Sequence, residues 1–243
     1  MDPEAERARL QSIYCQYASA LTSRTETMAN EYAASCSVHE VRGPDVLVLG
    51  AATGAWVGPL LAHFPYFETV DAVADAVAHL VGEFSPRITG HVAFFEEFTP
   101  PHRYDTVVMG HVLEHLADPK AVISRARDWL KPSGRIVALV PNAGSLHRRV
   151  GVRMGLLPSE TALGPSDERL GHRRVYTWDL LKQDFEAAGF RCAQLSGLML
   201  KPVSNAQMDE WPDALIRAFL EMGGDFPEAA CMVLCVAEAT RDG

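Results

Sequence analysis

Long apolar runs are missing from this chain. None approaches the roughly 20 residues that cross a bilayer as a helix, so no membrane span is expected. A basic excess is missing too: 22 Lys and Arg stand against 31 Asp and Glu, for a net charge of −9. That argues against general nucleic-acid binding, which needs a basic footprint. Cysteine is scarce and unpatterned. Cys15, Cys36, Cys192, Cys231 and Cys235 are odd in number and form no Cys-x-x-Cys pair, which reads as reduced thiols of a cytoplasmic protein. The segment Met1–Leu10 is charged and has no apolar core, so no signal peptide is expected. Internal repeats and low-complexity stretches are absent. What remains is ordinary: 48% hydrophobic and 22% charged residues over 243 positions, enough for one large α/β domain with insertions.

The chain is organised around Val46–Gly54, Val-Leu-Val-Leu-Gly-Ala-Ala-Thr-Gly. A short apolar run closed by glycine reads as a buried parallel strand. Ala55–Phe64 has helical composition, so Gly50–Gly54 is a strand-to-helix turn where backbone and helix N-terminus can approach a ligand closely. Asp71 ends the next apolar segment, Phe67–Val70, about 20 residues on, where an acidic residue can accept hydrogen bonds from ribose hydroxyls. Turn and carboxylate together point to a nucleoside-containing cofactor.

Upstream, Glu4–Asn30 is helix-compatible, with Leu10, Ile13, Tyr14, Tyr17 and Leu21 at helical spacing. It packs on the domain or caps the cofactor cleft, bringing Tyr14, Tyr17 or Tyr32 to a substrate. From Val46, strand candidates Val46–Gly50, Phe67–Asp71, His91–Phe95, Tyr104–Gly110 and Arg135–Val140 alternate with helix candidates Trp56–Phe64, Val73–Phe84 and Pro119–Leu130. This rhythm predicts an α/β fold, a mainly parallel sheet with helices on both faces and ligands at the carboxyl ends of the strands. Pro141–Val175 breaks the rhythm and reads as a lid insertion after the fifth strand. Thr177–Ala188 is a helix with Thr177 as N-cap and Gly189 at C′. Asn205–Met222 is a helix with Trp211, Leu215, Phe219 and Met222 in one stripe, between strand candidates Phe190–Leu200 and Cys231–Ala239. The expected organisation is a single domain: N-terminal helical cap 1–43, cofactor-binding core 44–140, lid 141–175 and the C-terminal part of the core 176–243.

The segment Tyr104–Leu116, Tyr-Asp-Thr-Val-Val-Met-Gly-His-Val-Leu-Glu-His-Leu, with Asp118-Pro119 after it, resembles the post-strand motif of small-molecule O- and N-methyltransferases, including the ubiquinone-biosynthesis O-methyltransferase group. Lys131–Arg135 resembles the same family's signature before its fifth strand. The resemblance, to class I S-adenosylmethionine-dependent methyltransferases, covers roughly Val41–Ala239 and implies a Rossmann-like sheet. It implies S-adenosylmethionine as cofactor, held by Gly50, Ala51 and Gly54, by Asp71 and Ala72 at the ribose, by Phe95 and Glu96 at the adenine, and by Gly110 and His111 at the amino-acid end. Two positions depart from the family. Val48 stands where an acidic residue is usual, and Ala52 replaces the middle glycine. Val48 removes a carboxylate that would help hold the cofactor's ammonium group.

Methyl transfer is an in-line displacement that asks the protein mainly for alignment and, for a hydroxyl or ammonium acceptor, for a base. His111, Glu114 and His115 follow the fourth strand, and His172 lies in the lid. If Val112–Leu116 is a helical turn, Glu114 and His115 share a face with His111. Three readings stand side by side: His111, His115 or His172 as base or substrate contact; hydrogen bonds that only anchor the loop; or a divalent metal held by His111, Glu114, His115 and His172. The metal pattern is similar to that of metal-dependent small-RNA 2′-O-methyltransferases, with His111 where they have Glu, and suits Zn²⁺, Fe²⁺ or Mn²⁺ better than Mg²⁺. The lid is locally basic. Arg148, Arg173 and Arg174 favour an anionic small-molecule substrate, since guanidinium binds carboxylate and phosphate bidentately, and Lys201 adds to this charge. The expected function is methyl transfer to a hydroxyl, or less favourably an amine, of a small anionic metabolite. A non-catalytic S-adenosylmethionine-binding protein and a nicotinamide-dependent oxidoreductase are the alternatives, the latter disfavoured because Gly50–Gly54 is not Gly-x-Gly-x-x-Gly. No nucleic acid and no membrane are expected as partners; a homodimer is allowed.

Overall fold

The structure, a computed structural model, describes residues 2–19, 23–50 and 54–240, with the side chains of 16–19 left aside. Ala51, Ala52, Leu21 and the side chain of Tyr17 therefore lie outside the described residues. The strands are β1 Val46–Leu49, β2 Phe67–Asp71, β3 Ile88–Val92, β4 Tyr104–Gly110, β5 Leu130–Pro141, β6 Phe190–Leu198 and β7 Met232–Ala239. The helices are α1 Pro3–Ser19, α2 Arg24–Ser37, α3 Val57–His63, α4 Ala74–Phe84, α5 Pro119–Trp129, α6 Leu146–Arg153, α7 Pro165–Arg169, α8 Trp178–Ala187, α9 Asn205–Met208 and α10 Asp213–Glu221.

The strands form one sheet in the order β3-β2-β1-β4-β5-β7-β6. Pairing is parallel from β3 to β5 and antiparallel around β7. This is the expected mainly parallel, Rossmann-like sheet. Its register follows from period-2 burial. Val46 and Val48 of β1 face one core, with Trp56, Leu60, Ala76 and Leu80. Leu47 and Leu49 face the other, with Val107, Met109, Ile123 and Phe185. Both faces of β1 are buried, which is why it reads as a continuous apolar run rather than an alternating one. Chain order reverses between β1 and β4, and the crevice at such a switch point is where ligands bind in open α/β sheets.

Local chemistry sets the ends of the elements. Asp118 caps α5, accepting a hydrogen bond from the Ala121 N–H at 3.1 Å, with Pro119 in the first turn. Thr177 caps α8 through the Leu180 N–H, also at 3.1 Å. Gly189 ends that helix in the left-handed region at φ +79°, as expected for a C′ glycine.

Four expected elements differ. The span Glu4–Asn30 is not one helix: Ser23 accepts a hydrogen bond from the Glu26 N–H and starts α2 afresh. The third strand begins at Ile88 rather than His91, because the Arg87 carbonyl already takes the Phe67 N–H at 3.2 Å. Asn205–Met222 splits into α9 and α10 at Pro212, which precedes α10 and has no N–H to continue a helix. The buried residues of α10 are Ile216 and Leu220, whereas Leu215 of the expected stripe is exposed. Finally, Val112–Leu116 is not helical. It is a turn in which the His115 N–H reaches only the Val112 carbonyl, at 3.0 Å.

Candidate active site

The carboxyl ends of β1, β2, β4 and β6 open onto one cavity of about 1640 Å³. Single-ligand clefts are typically ~300–1,000 Å³, so this one has room for a cofactor and a small second molecule. At its β1 edge Gly50 adopts φ +83° and Gly54 φ +62°. A Cβ on Gly50 would lie 3.3 Å from Val112 Cγ2 and would strain a left-handed backbone. Glycine there leaves the chain bare against the cavity. At Gly110 a Cβ would overlap the Trp56 indole, so glycine is what lets Trp56 lie across the end of β4.

Asp71 closes β2 on the cavity wall. One carboxylate oxygen accepts the Val73 N–H at 2.8 Å, which fixes the side chain's direction. Ala72, Phe95 and Glu96 line the cavity beside it. Arg7 of α1 donates to the Ala72 carbonyl at 2.8 Å, and its guanidinium lies 4.8 Å from the centre of the Phe94 ring. The first helix thus crosses over this half of the site. Tyr14 also lines the cavity, whereas Tyr32 packs against the core, where burial pushes its phenol up to about 12. Val48 lines the cavity as well, with no carboxylate to offer.

At the end of β4 His111 adopts φ +56°, uncommon for a residue with a Cβ. This left-handed turn stops Val112–Leu116 from continuing as a helix. It brings His111 Nδ1 to 3.0 Å from Glu114 Oε1. Glu114 is fully buried. Burial alone would raise its carboxyl pKa. The hydrogen bond from His111 leads the effects that outweigh it and hold the group below its ordinary value. Oε1 of the ionised Glu114 is the acceptor facing Nδ1, which leaves Nε2 as the ring nitrogen outside that bond. That Nε2 is buried and unpartnered, as is Glu114 Oε2.

His115 and His172 stack edge to face with ring centres 4.8 Å apart. Burial pulls His115 down to about 4, so its imidazole is neutral at physiological pH. His172 Nδ1 lies 3.2 Å from Asp167 Oδ1, and Asp167 also accepts from Arg148 at 3.0 Å and from the Gly164 N–H at 2.8 Å. Despite the burial of Asp167, these three donors hold its carboxyl well below the usual carboxylate range. One ligand atom each from Glu114, His115 and His172 lie within 4.8 Å of one another. His111 is outside that trio, its Nδ1 turned to Glu114.

The basic segments end up elsewhere than expected. Because Val112–Leu116 is not a helix, its carbonyls have no intrahelical partners and need donors. Arg173 supplies its own N–H to Glu114 O at 2.7 Å and Nε to His115 O at 3.0 Å. Arg174 reaches the carbonyls of Leu113, Leu116 and Ala117. Neither lines the cavity. Arg148 does, but its guanidinium is taken up by Asp167 and by the carbonyls of Glu160 and Ala162. Sequence reasoning missed Arg7, Trp56 and the Asp167 node. Only Trp56 carried a signal, an aromatic directly after the glycine turn.

Residues 21–195 match the protein family described as a methyltransferase domain. A ubiquinone biosynthesis O-methyltransferase of Idiomarina loihiensis is 28% identical over 113 residues. That match covers 45% of this chain and 44% of the relative, so the chain spans less than half of that relative's length. Among solved structures, the fold is similar to that of the 1,6-didemethyltoxoflavin-N1-methyltransferase of Burkholderia thailandensis, at TM-score 0.63 and 18% identity over 99% of this chain and 91% of that one. It is also similar to the N-methyltransferase NodS of Bradyrhizobium japonicum WM9, at TM-score 0.57 and 13% identity over 95% and 100%.

Proposed function

We propose, from the premise that the chain belongs to the methyltransferase-domain family, that it transfers a methyl group from S-adenosylmethionine to a small molecule. The observation that carries this is the convergence of left-handed Gly50 and Gly54, the Asp71 carboxylate and the Gly110–His111 strand end on one cavity larger than a single ligand needs. When bound, the cofactor would supply a methyl group already activated on a sulfonium. The bare backbone at Gly50 admits its close approach, and Asp71, held by Val73, offers ribose hydroxyls a fixed acceptor. His111, oriented by Glu114 through Nδ1, offers Nε2 as the ring nitrogen that would take the proton of a hydroxyl or ammonium acceptor once that group reaches it. The hydroxyl is preferred, in keeping with the O-methyltransferase relative; the N-methyltransferases of similar fold keep the amine open.

A second reading rests on Glu114, His115 and His172. A neutral imidazole and a buried carboxylate oxygen without a partner are suitable ligands for a divalent cation. In that case Glu114, His115 and His172 would hold the ion, and it would lower the acceptor's pKa in place of the His111 base.

Calorimetry with S-adenosylhomocysteine tests the first reading. Asp71→Ala is expected to weaken binding by roughly 1–3 kcal/mol, because a charged acceptor is lost from two hydroxyls. An unchanged dissociation constant would move the ribose site elsewhere. Tight binding of a nicotinamide dinucleotide instead would overturn the cofactor assignment.

A further inference from the structure

One lysine on the cavity wall has no direct hydrogen-bond or ion-pair partner for its head group among the described residues. Of the lysine and arginine side chains described on that wall, Arg148 is fully engaged and Arg169 donates to Ser166 Oγ at 3.1 Å. The Lys201 ammonium makes no hydrogen bond and no ion pair among the described residues. The residue is half-buried, and burial pulls its ammonium below the usual lysine range. The acidic groups around it act on it from a distance and none forms an ion pair with it. Asp167 is matched by Arg148, His172 and the Gly164 N–H. Glu26 lies beyond ion-pair distance and accepts from Asn205 at 3.4 Å. The Cys231 thiol, pushed up to about 11 by burial, stays neutral.

The chain holds Lys201 there deliberately. Met199, two residues earlier, is at φ +59°, left-handed although it has a Cβ. Its carbonyl accepts the Cys231 N–H at 2.7 Å, and a Cβ on Gly223 would strike its backbone. Leu200 N–H donates to Phe219 O at 2.8 Å, and the Lys201 carbonyl accepts the His147 N–H at 3.0 Å. Backbone strain of this kind survives only where the surroundings over-determine it. His147 sits on the same wall. Its Nδ1 is buried with no partner, and burial pulls the imidazole down to about 3, so it is neutral. An ammonium and a neutral imidazole with an unpartnered Nδ1 thus share this wall.

We propose that Lys201 and His147 form the subsite for a carboxylate carried by the methyl acceptor. This rests on reading the cavity as a joint site for cofactor and acceptor. A single positive charge beside one neutral donor suits a monoanion; a phosphate dianion calls for more donors or an arginine fork. It replaces Arg173 and Arg174 as the expected anion contacts.

The test uses the full chain with S-adenosylhomocysteine, whose binding is measured first, and then titrates benzoate and benzamide into the complex. Wild type is expected to bind benzoate about tenfold or more tightly than benzamide, the size of a charge-assisted contact. Lys201→Met is expected to abolish that preference and leave S-adenosylhomocysteine affinity within twofold, while Lys201→Arg keeps part of it. Because the ammonium is unpaired, Lys201→Met should melt no lower than wild type. A lower melting temperature would show the charge to be satisfied internally and would overturn the proposal. So would parity of the two probes in wild type, or a preference that survives Lys201→Met. Phenyl phosphate binding ahead of benzoate with the same Lys201 dependence would overturn the carboxylate assignment. Failure of S-adenosylhomocysteine to bind while the benzoate preference holds would break the cofactor reading alone.

Discussion

Stability should fall as pH drops from 7 to 5, before the carboxylates titrate. His115 and His147 carry the effect. Their ordinary value is 6.5, and burial pulls them to about 4 and about 3 in the folded protein. The unfolded chain takes up these two protons near pH 6.5, whereas the folded chain does not until much lower. Below 6.5 the unfolded state therefore binds more protons and gains free energy relative to the fold. Their contribution is complete above 6.5 and is lost as pH falls towards the folded values. At pH 5 linkage gives up to about 2 kcal/mol per ring. Both rings reach the cavity, so roughly 1–2 kcal/mol each, or about 2–4 together, is the working figure. Set against a total of ~5–15 kcal/mol for a typical domain, that is a large share. Glu114 and Asp167, held below their ordinary values, add losses only at lower pH. Urea titrations at pH 7, 6 and 5 measure this. The midpoint should drop steadily at constant slope, and His147→Gln should remove about half the drop. A flat midpoint from 7 to 5, or one that rises, would refute the placement of these rings as buried neutral groups.

Two further outcomes bear on the site. Arg173→Ala removes a pair of 3.1 Å contacts to Glu6 of α1 and a donor to the His115 carbonyl. It should destabilise the whole protein by only ~1 kcal/mol but speed hydrogen exchange and proteolysis over residues 3–19; unchanged protection of α1 would show that other contacts hold it. Purified protein dialysed against chelator should keep its S-adenosylhomocysteine affinity and melting temperature if His111 is the base. Stoichiometric metal, with a lower melting temperature on its removal, would favour the Glu114, His115 and His172 reading instead.

The sheet was legible in the sequence because β1, β2 and β4 bury both faces, which writes continuous apolar runs, and because Asp118-Pro119 and Thr177 are local start signals. The frame of the candidate site could be drawn from the sequence for a related reason: Gly50, Asp71 and Gly110 sit at strand ends, where residue type and spacing make a candidate. What failed was the long-range part. Arg173 and Arg174 looked like anion ligands because a guanidinium names no partner in advance. The carbonyls they serve were freed by the left-handed His111, and nothing in Gly-His-Val-Leu-Glu-His announces a positive φ. Lys201 showed only as a further positive charge beside the basic lid. That it stands unpartnered follows from Asp167 being claimed by three donors drawn from α6, the start of α7 and the loop beyond it.

The way the first helix is attached says how a ligand enters. None of the described side chains of α1 is buried. Its long-range polar contacts run to both sides of the cleft: Arg7 to the Ala72 carbonyl and Gln11 to Asp75 on one side, Glu6 to Arg173 and Arg9 to the Gly171 carbonyl on the other. Leu10 and Tyr14 add only partial packing. Exposed polar contacts are individually worth little, roughly 0–1 kcal/mol each. A helix held this way opens far more readily than the sheet, where each strand buries an apolar face. The arrangement therefore separates two needs. The sheet and its two cores hold Asp71, His111 and Lys201 rigidly against strain at His111 and Met199. The cover over them is fastened by individually weak contacts, so α1 is expected to exchange its amide hydrogens well before the sheet does, and protection of residues 3–19 equal to that of β1 and β4 would refute this.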